Sequence, residues 1–112
     1  KSVAEAANSL DAKLIIVPTI SGTSARLISN LEPSCPILAL VNSEEVANRL
    51  ALNYGIYAKV VNIVSDIDEL VALAIKEAKE FTNLESGDNI IVTGGLVAGK
   101  IGFTNLMKIE TL

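Results

Sequence analysis

Short apolar runs alternate along the chain with longer stretches in which apolar residues recur at helical spacing. Short apolar runs bounded by proline, glycine or polar residues are typical of strands that are covered on both faces. They occur at residues 14–17, 37–41, 56–61 and 89–93, and a fifth segment, 106–110, alternates like a strand at a sheet edge. The pattern therefore predicts strands separated by helices, except between the last two.

Three helices are predicted before and between the first strands. The first covers residues 2–10, and the second covers about 23–31. The third opens at Ser43, a good N-cap that is followed by two acidic residues, and Gly55 closes it.

A fourth helix is predicted as the longest. Its apolar stripe runs through residues 67–81, and Glu77 lies among the charged residues on the opposite side, which is expected to face solvent. Ser65 and Asp68 have the spacing of a capping box at its start.

The alternation of strands and helices determines the expected architecture. It indicates a parallel sheet with right-handed crossovers, and helices on both faces of such a sheet give three layers. The last strand follows the fourth without a helix, so we expect it to run antiparallel. The predicted fold is an α/β, three-layer α/β/α sandwich with a five-stranded, mostly parallel sheet and an antiparallel last strand. The 112 residues are expected to form a single domain, 1–112.

Composition argues against nucleic acid and membranes as partners. Half of the residues are hydrophobic, yet no run approaches about 18 apolar residues, so the cytoplasm is the expected location. The net charge is −4 and the nine basic residues are dispersed, whereas nucleic-acid recognition needs clustered cations. Aromatic residues are few, and Tyr54 and Tyr57 are expected to pack at the turn that they flank.

The lack of histidine and the single cysteine limit the chemistry that the chain can perform. The chain has no histidine and one cysteine, Cys35, which excludes an internal disulfide and the usual zinc sites. A catalytic thiol would need a basic partner that histidine cannot supply here. No catalytic residue, metal ligand or cofactor is predicted within the chain.

A hydroxyl-rich run follows the first strand at the expected start of the second helix. It contains Thr19, Ser21, Gly22, Thr23 and Ser24, and Arg26 comes shortly after. Helix amino termini present unpaired N–H groups and the positive end of the helix dipole, so this entry suits a phosphate. Serine and threonine are also ordinary N-caps, and the capping interpretation stands beside the phosphate-site hypothesis.

A second glycine-rich segment, 94–101, nearly matches a nucleotide-binding Walker A loop. The position that should carry a magnesium-binding hydroxyl is Ile101, and Gly102 and the alternating residues beyond it predict no helix behind the loop. Nucleotide hydrolysis is therefore not expected here. The glycines are compatible with a close approach to a ligand or with a long turn between the fourth and fifth strands.

Taken in order, these loops and their spacing resemble the carboxy-terminal domain of pyruvate kinase. The segments that carry the resemblance are 12–13, 19–29, 33–37, 52–56, 87–88, 92–95 and 102–105. They extend over essentially the whole chain. The specific feature is the combination of a hydroxyl and glycine loop with a later loop of glycine, threonine and asparagine.

The resemblance implies a domain of an enzyme that transfers phosphate from phosphoenolpyruvate to ADP, using magnesium and potassium. In that family a separate amino-terminal barrel performs the chemistry, while this domain binds allosteric effectors and contributes to a tetramer. The implied partners are that missing barrel, further copies of the chain and a phosphorylated effector. The effector would lie against Thr19, Ser21, Gly22, Thr23 and Ser24. A later loop that contains Gly99, Lys100 and Gly102 would close over it.

Three departures from the family pattern bear on the effector. Ile20 stands where loops tuned for fructose 1,6-bisphosphate often carry a basic residue, and Glu32 stands where many members carry arginine. In the later loop some members carry tryptophan and arginine, whereas this chain has residues 95–97 as Gly-Leu-Val, with Val97 where a proline is common. These changes remove charge that a second phosphate would need, so this bisphosphate is not expected. A monophosphate, AMP or no effector at all remains open.

Two other functions are compatible with the residues. One is a free-standing α/β module that binds a phosphorylated metabolite without a catalytic domain, and the other is a structural dimerisation domain. The chain starts at Lys1 rather than at a methionine, which favours a piece of a longer enzyme. The edge strand at 106–110 is expected to pair with a second copy.

Overall fold

The computed structural model of the chain describes residues 3–19, 21–62, 66–93, 96–97, 100–101 and 107–111. The helices among them are α1 (Val3–Ser9), α2 (Thr23–Asn30), α3 (Glu44–Leu50) and α4 (Ile67–Phe81). The strands are β1 (Leu14–Pro18), β2 (Ile37–Val41), β3 (Ile56–Val60), β4 (Asn89–Thr93), β5 (Leu96–Val97), β6 (Lys100–Ile101) and β7 (Met107–Thr111). No helix in the described part of the chain is long and apolar enough to cross a membrane.

The main sheet has the strand order β3-β2-β1-β4-β7. The first four strands are parallel to their neighbours, and Ile16 at the centre of the sheet lies opposite Leu38 on one side and Val92 on the other. β7 pairs with β4 in an antiparallel register in which Ile91 lies opposite Ile109. The prediction of an α/β fold built on a parallel sheet is confirmed.

Alternate residues of the central strands form two cores, one on each face of the sheet. Ile15 packs with residues of α1, α2 and α3, while Ile16 packs with Ala74 and Ala78 of α4. Because successive residues of a strand face opposite sides, every position of β1 must be apolar. The described helices therefore cover the sheet on both faces, with α4 alone on one of them.

The end of α3 differs from the prediction. The helix ends at Leu50, and Gly55 instead makes a turn with φ +74° just before β3. The reason is local, because the Asn53 amide donates to the carbonyl of Leu50 at 2.9 Å, and the Asn53 side chain donates to the same carbonyl. These bonds take up a carbonyl at the end of the last turn and stop the helix early.

The start of α4 also differs from the prediction. Asp66 is the N-cap, and its carboxylate accepts a hydrogen bond of 3.0 Å from the amide of Glu69. The predicted capping box from Ser65 to Asp68 is therefore wrong by one position, and Ser65 lies outside the described residues. Aspartate satisfies the orphan amides of a first turn as well as serine does, so the two assignments compete in the sequence.

Glu77 is buried, against the prediction that it faces solvent. It pairs with Lys59 of β3, whose ammonium also lies 3.4 Å from a carboxylate oxygen of Glu80. The hydrogen bond with Glu77 is the main reason that the pKa of Lys59 is raised. Glu77 lies beside the apolar stripe of α4. Its carboxylate can be buried because the ammonium of Lys59, on the edge strand β3, neutralises its charge.

Two further expectations differ from the structure. Tyr54 does not pack at its turn but is 84% exposed, because it lies beyond the end of α3 at the surface; Tyr57 is half exposed, with its ring centroid 5.3 Å from that of Phe81. The long turn expected after β4 contains β5 and β6, which pair with each other in an antiparallel register. One glycine, Gly99, stands between these two short strands in the sequence, and it lies outside the described residues.

Candidate functional site

The loop between β1 and α2 lies at the carboxyl end of the sheet, where the strand order reverses. The chain runs outward from β1 through β2 to β3, and then returns to place β4 on the other side of β1. The segment that follows Pro18 therefore leaves a strand whose two parallel neighbours, β2 and β4, lie on opposite sides of it. In open α/β sheets, ligands bind outside the carboxyl ends of the strands at such a switch point.

Gly22 determines the geometry of this loop. It is the N-cap of α2 with φ +87°, a conformation that L side chains rarely adopt. A Cβ atom added to Gly22 would also lie 3.0 Å from Leu50 of α3. Backbone freedom and close packing therefore both require glycine at this position.

Thr19 supports the loop from beneath. Its side chain is buried, and its hydroxyl accepts a hydrogen bond of 3.1 Å from the amide of Gly22. Its own amide donates to the carbonyl of Leu40 in β2 at 2.9 Å. Thr19 thus ties the start of α2 to the central strands.

The outer side of the loop carries two linked hydroxyls and a cation. Ser21 donates to the hydroxyl of Thr23 at 3.0 Å, and the Thr23 amide donates back to the Ser21 hydroxyl at 3.3 Å. The guanidinium of Arg26, one turn into the helix, lies 3.4 Å from the same Thr23 hydroxyl. Three polar groups therefore converge at the first turn of α2.

Only some of the amides at the first turn of α2 donate hydrogen bonds within the described residues. Those of Gly22 and Thr23 donate to the loop's own hydroxyls, whereas those of Ser24 and Ala25 find no acceptor among the described residues. The first intrahelical bond runs from the Arg26 amide to the carbonyl of Gly22 at 3.0 Å. No acidic residue lies in this turn, so the positive end of the helix dipole is not neutralised there.

Ser24 differs from the other hydroxyl residues because it is buried under the first turn. Its amide lies in the orphan part of the helix, but its side chain faces the protein interior rather than the outer side of the loop. The structure thus separates the candidate residues into an inner pair, Thr19 and Ser24, and an outer pair, Ser21 and Thr23.

Arg26 belongs to the outer group, although the sequence-based set of site residues does not include it. The signal for it is the spacing of three residues from Thr23, which brings two side chains of a helix together. Arginine and paired hydroxyls together are suited to the oxygens of a phosphate.

The second glycine loop is only partly described. Lys100 lies in β6, where its backbone pairs with Val97, while Gly99 and Gly102 lie outside the described residues. That this loop closes over a ligand stays a prediction.

Glu32 lies at the opposite end of α2 from the candidate site. It lines a groove with Pro33, Tyr54 and Tyr57 at the amino end of the sheet. The eight residues of α2 separate it from loop 19–24 by about 12 Å at 1.5 Å per residue. The expectation that Glu32 removes charge from a second phosphate site is therefore wrong, because the position is too remote.

Metal-binding groups are scarce in the part of the chain that the structure describes. It contains no cluster of three or more cysteine, aspartate or glutamate side chains that could hold a metal ion. Cys35, in the groove that contains Glu32, is half-buried, and desolvation raises the pKa of its thiol.

Comparisons with known proteins give one consistent result. The family profile described as "Pyruvate kinase, alpha/beta domain" matches residues 1–110. A pyruvate kinase from Clostridium perfringens is 40% identical over 111 residues, which are 99% of this chain and 23% of that protein. One from Geobacillus stearothermophilus is 36% identical over 112 residues, which are 100% of this chain and 19% of that protein.

Solved structures agree with these relatives. The structure described as "Cryptosporidium parvum pyruvate kinase in complex with ADP" superposes with a TM-score of 0.82 and 37% identity, over 98% of this chain and 22% of that one. A second crystal structure of a Cryptosporidium parvum pyruvate kinase gives a TM-score of 0.81. This chain thus spans about a fifth of the length of the proteins that it matches.

Proposed function

The chain belongs to the family of pyruvate kinase α/β domains, and we therefore propose that it is the regulatory and oligomerisation domain of a pyruvate kinase. The parent enzyme would transfer phosphate from phosphoenolpyruvate to ADP in the cytoplasm, with magnesium and potassium held by its catalytic barrel. The domain itself supplies regulation and assembly rather than catalysis. Its similarity to pyruvate kinases over nearly its whole length supports this assignment.

Activity assays test whether catalysis belongs to the rest of the parent enzyme rather than to this domain. The parent enzyme should form ATP from phosphoenolpyruvate and ADP when magnesium and potassium are present, and this chain alone should not. Turnover that scales with the purified chain and disappears after a substitution within it would contradict the proposal.

The regulatory part of the proposal is a phosphate site at the entry of α2. The observation that carries it is the convergence of Ser21, Thr23 and Arg26 at the first turn of a helix that starts at the switch point of the sheet. The amides of Ser24 and Ala25 add two donors that have no acceptor among the described residues. The ligand is a phosphate monoester such as AMP or a sugar monophosphate.

A bound phosphate would rearrange the hydrogen bonds of the loop. Ser21 and Thr23 now satisfy each other, so their hydroxyl protons would turn from each other toward the ligand. Thr19 and Gly22 would keep the loop in its present shape, because both are fixed to the sheet and to α3. The helix dipole contributes only about 0.3 to 1 kcal/mol, so charge-assisted hydrogen bonds must supply most of the affinity. Lys100 adds a further cation when the later loop closes.

Titration of the parent enzyme with AMP, a sugar monophosphate and inorganic sulfate tests this site. Arg26→Gln should weaken binding by about tenfold or more, the effect of losing one charge-assisted hydrogen bond. Arg49→Gln is the matched control, because Arg49 is an exposed arginine on the neighbouring helix α3. Equal losses in both variants, or none in either, would show that the ligand binds elsewhere.

Assembly is the third part of the proposal. We infer that β7, as the antiparallel fifth strand, forms one edge of the sheet and pairs with β7 of a second copy, giving a dimer of this domain and a tetramer of the parent. Its place at the end of the strand order, beside β4, supports this.

Proline substitutions in β7 test the pairing. In β7 the N–H groups of successive residues point alternately toward β4 and away from it. Of the two variants Lys108→Pro and Ile109→Pro, one therefore removes an N–H group that points away from β4 and keeps the hydrogen bonds between β4 and β7. That variant should stay folded and lose the dimer in analytical ultracentrifugation. If the variant that removes the outward donor stays folded and remains dimeric, the proposed interface is contradicted.

A further inference from the structure

Strand β3 forms the edge of the main sheet that lies opposite β7. Its neighbour on one side is β2, and no strand in the described part of the chain pairs with its other side. An open strand edge presents a row of N–H and C=O groups to which another extended chain can add. The outer edge of β3 is therefore a candidate interaction surface.

Hydrogen bonds at the two ends of β3 show which of its backbone groups point outward. The Gly55 carbonyl accepts from an amide of β2 at 2.9 Å, and the Val61 amide donates to a carbonyl of β2 at 2.7 Å. Successive residues of a strand direct these groups alternately to its two sides, so the odd-numbered positions between them face β2. Ala58 and Val60 consequently direct their N–H and C=O groups outward, and neither amide has an acceptor among the described residues.

A groove of about 400 Å³ runs beside this edge, between β3 and α4. Tyr57 and Lys59 of β3 line one side of it, and Glu77, Glu80 and Phe81 of α4 line the other. Alternate side chains of a strand point to the same face of a sheet. An extended segment added to β3 would therefore place every second side chain in or above this groove.

The charged groups of the groove carry one excess negative charge. The Lys59 ammonium pairs with the carboxylates of both Glu77 and Glu80, so two acids share a single cation. Glu77 is buried and needs its counter-ion, which keeps Lys59 beside it. Glu80 is half exposed and can accept a second cation, and the partly exposed ring of Phe81 adjoins the same groove.

These charges distinguish between possible occupants of the edge. The β3 strand of a second copy would bring a second groove of the same charge and a lysine that must stay with its own Glu77, which disfavours a second copy. A segment that supplies its own arginine or lysine balances the excess charge. The residues on either side of that cation would face the other surface of the sheet with Ala58 and Val60, where apolar side chains are favoured.

We propose that the outer edge of β3 binds an extended segment of a partner protein by strand addition, with an arginine or lysine of that segment in the groove beside Glu80 and Phe81. The backbone of the segment pairs with the outward N–H and C=O groups of Ala58 and Val60. This inference goes beyond the proposed function, because it needs neither the phosphate site nor the β7 interface.

A labelled peptide, Thr-Val-Arg-Val-Thr, titrated with the full-length protein in fluorescence anisotropy, tests the strand addition. Ala58→Pro should weaken binding about tenfold or more, because proline lacks the outward N–H group and its ring blocks the approach of the segment. The bonds between β3 and β2 are kept in this variant. Ala58→Ser retains the amide and is the matched control, with an expected change of less than about twofold. Equal affinities of a folded Ala58→Pro variant and the unsubstituted protein would overturn the proposal, as would no binding at about 1 mM peptide.

The charge in the groove is tested from both sides. The peptide Thr-Val-Glu-Val-Thr should bind at least about tenfold more weakly, and Glu80→Gln should weaken binding of the arginine peptide about tenfold, the effect of losing one charge-assisted hydrogen bond. Glu69→Gln is the control, because Glu69 is exposed in the first turn of α4, about 16 Å along the helix from Glu80 at 1.5 Å per residue. Equal affinities for the two peptides, or equal losses in the two variants, would overturn the proposal.

Sedimentation velocity and formation of ATP from phosphoenolpyruvate and ADP, measured on the same samples, separate this proposal from the others. Ala58→Pro should change neither the size of the assembly nor the activity. A smaller assembly in this variant would show that the edge holds a second copy and would overturn the proposal. Absence of activity in every sample would refute the proposed function, while binding of the arginine peptide that Ala58→Pro weakens would still support strand addition.

Discussion

At the carboxyl end of the sheet the side chains that follow β1 are small and polar, whereas at the amino end the exposed side chains are large and apolar. Ser21, Thr23 and Arg26 contact one another at the first end, while Leu52 and Tyr54 extend into solvent at the second. Both ends are built on the same four parallel strands. The start of α2 thus brings hydrogen-bond donors together, while the helix ends and strand starts at the amino end expose large apolar side chains.

Strand β1 connects the two ends, so damage to its core should affect both. Ile16→Ala removes a fully buried side chain between β2 and β4 and should reduce the free energy of unfolding by about 2 to 5 kcal/mol. Leu52→Ala, at an exposed position at the amino end of the sheet, should change it by no more than about 0.5 kcal/mol. Urea unfolding of the chain checks both values, and similar losses in the two variants would mean that Leu52 belongs to the core.

The carboxyl end should be less tolerant of a changed glycine than the amino end. Gly22→Ala combines a positive φ with a clash against Leu50, so we expect a loss of about 1 to 3 kcal/mol. Gly55→Ala has a similar φ but open space around the added methyl, and about 1 kcal/mol is expected. Thermal unfolding compares them, and a larger effect at Gly55 would contradict the close packing of loop 19–24.

The ion pair between Lys59 and Glu77 should make stability depend on pH in alkaline solution. The pKa of Lys59 is raised in the folded chain, mainly by its hydrogen bond with Glu77, so the folded state holds this proton more tightly than the unfolded state. The contribution is fully present below the ordinary lysine pKa of 10.5 and is lost as pH rises through the raised value.

Thermal melts at increasing pH measure this loss against Lys59→Met, in which the contribution is absent at every pH. Lys79→Met, an exposed lysine on α4, is the control and should behave like the unsubstituted chain. If the difference in melting temperature between the unsubstituted chain and Lys59→Met stays the same as pH rises above 10.5, the ion pair between Lys59 and Glu77 does not stabilise the fold.

A charge reversal at Glu32 should leave ligand binding almost unchanged. Glu32→Arg restores the charge that the family pattern would place there, yet it lies about 12 Å or more from loop 19–24, beyond one Debye length. The affinity for a phosphate monoester should therefore change by less than about twofold. A tenfold gain in a calorimetric titration would show that the amino end takes part in ligand binding.

The strands and the two-sided core could be predicted from the sequence, because short apolar runs between helical patterns are typical of buried parallel strands. The burial of Glu77 could not, because the residue that neutralises it, Lys59, is distant in sequence and lies on another element. The hydroxyls of loop 19–24 were evident in the sequence, but the contact between Arg26 and Thr23 depends on the register of α2.

Two errors have a common physical origin at the amino end of the sheet. Glu32 was expected to affect a second phosphate, but the direction of α2 places it at the amino end of the sheet, away from loop 19–24. The exposure of Tyr54 could not be predicted for a related reason. Aromatic residues near a turn usually pack, and only the position of the turn relative to α2 and β3 shows that this one extends outward.

Backbone amide chemical shifts, followed during a titration with AMP and inorganic phosphate, decide whether the ligand binds at the start of α2. We expect saturable shifts that are largest for the amides of Thr23, Ser24 and Ala25, with those of Tyr54 and Tyr57 unchanged. Largest shifts at the amino end of the sheet, or no saturable shift at the start of α2, would contradict the proposed phosphate site.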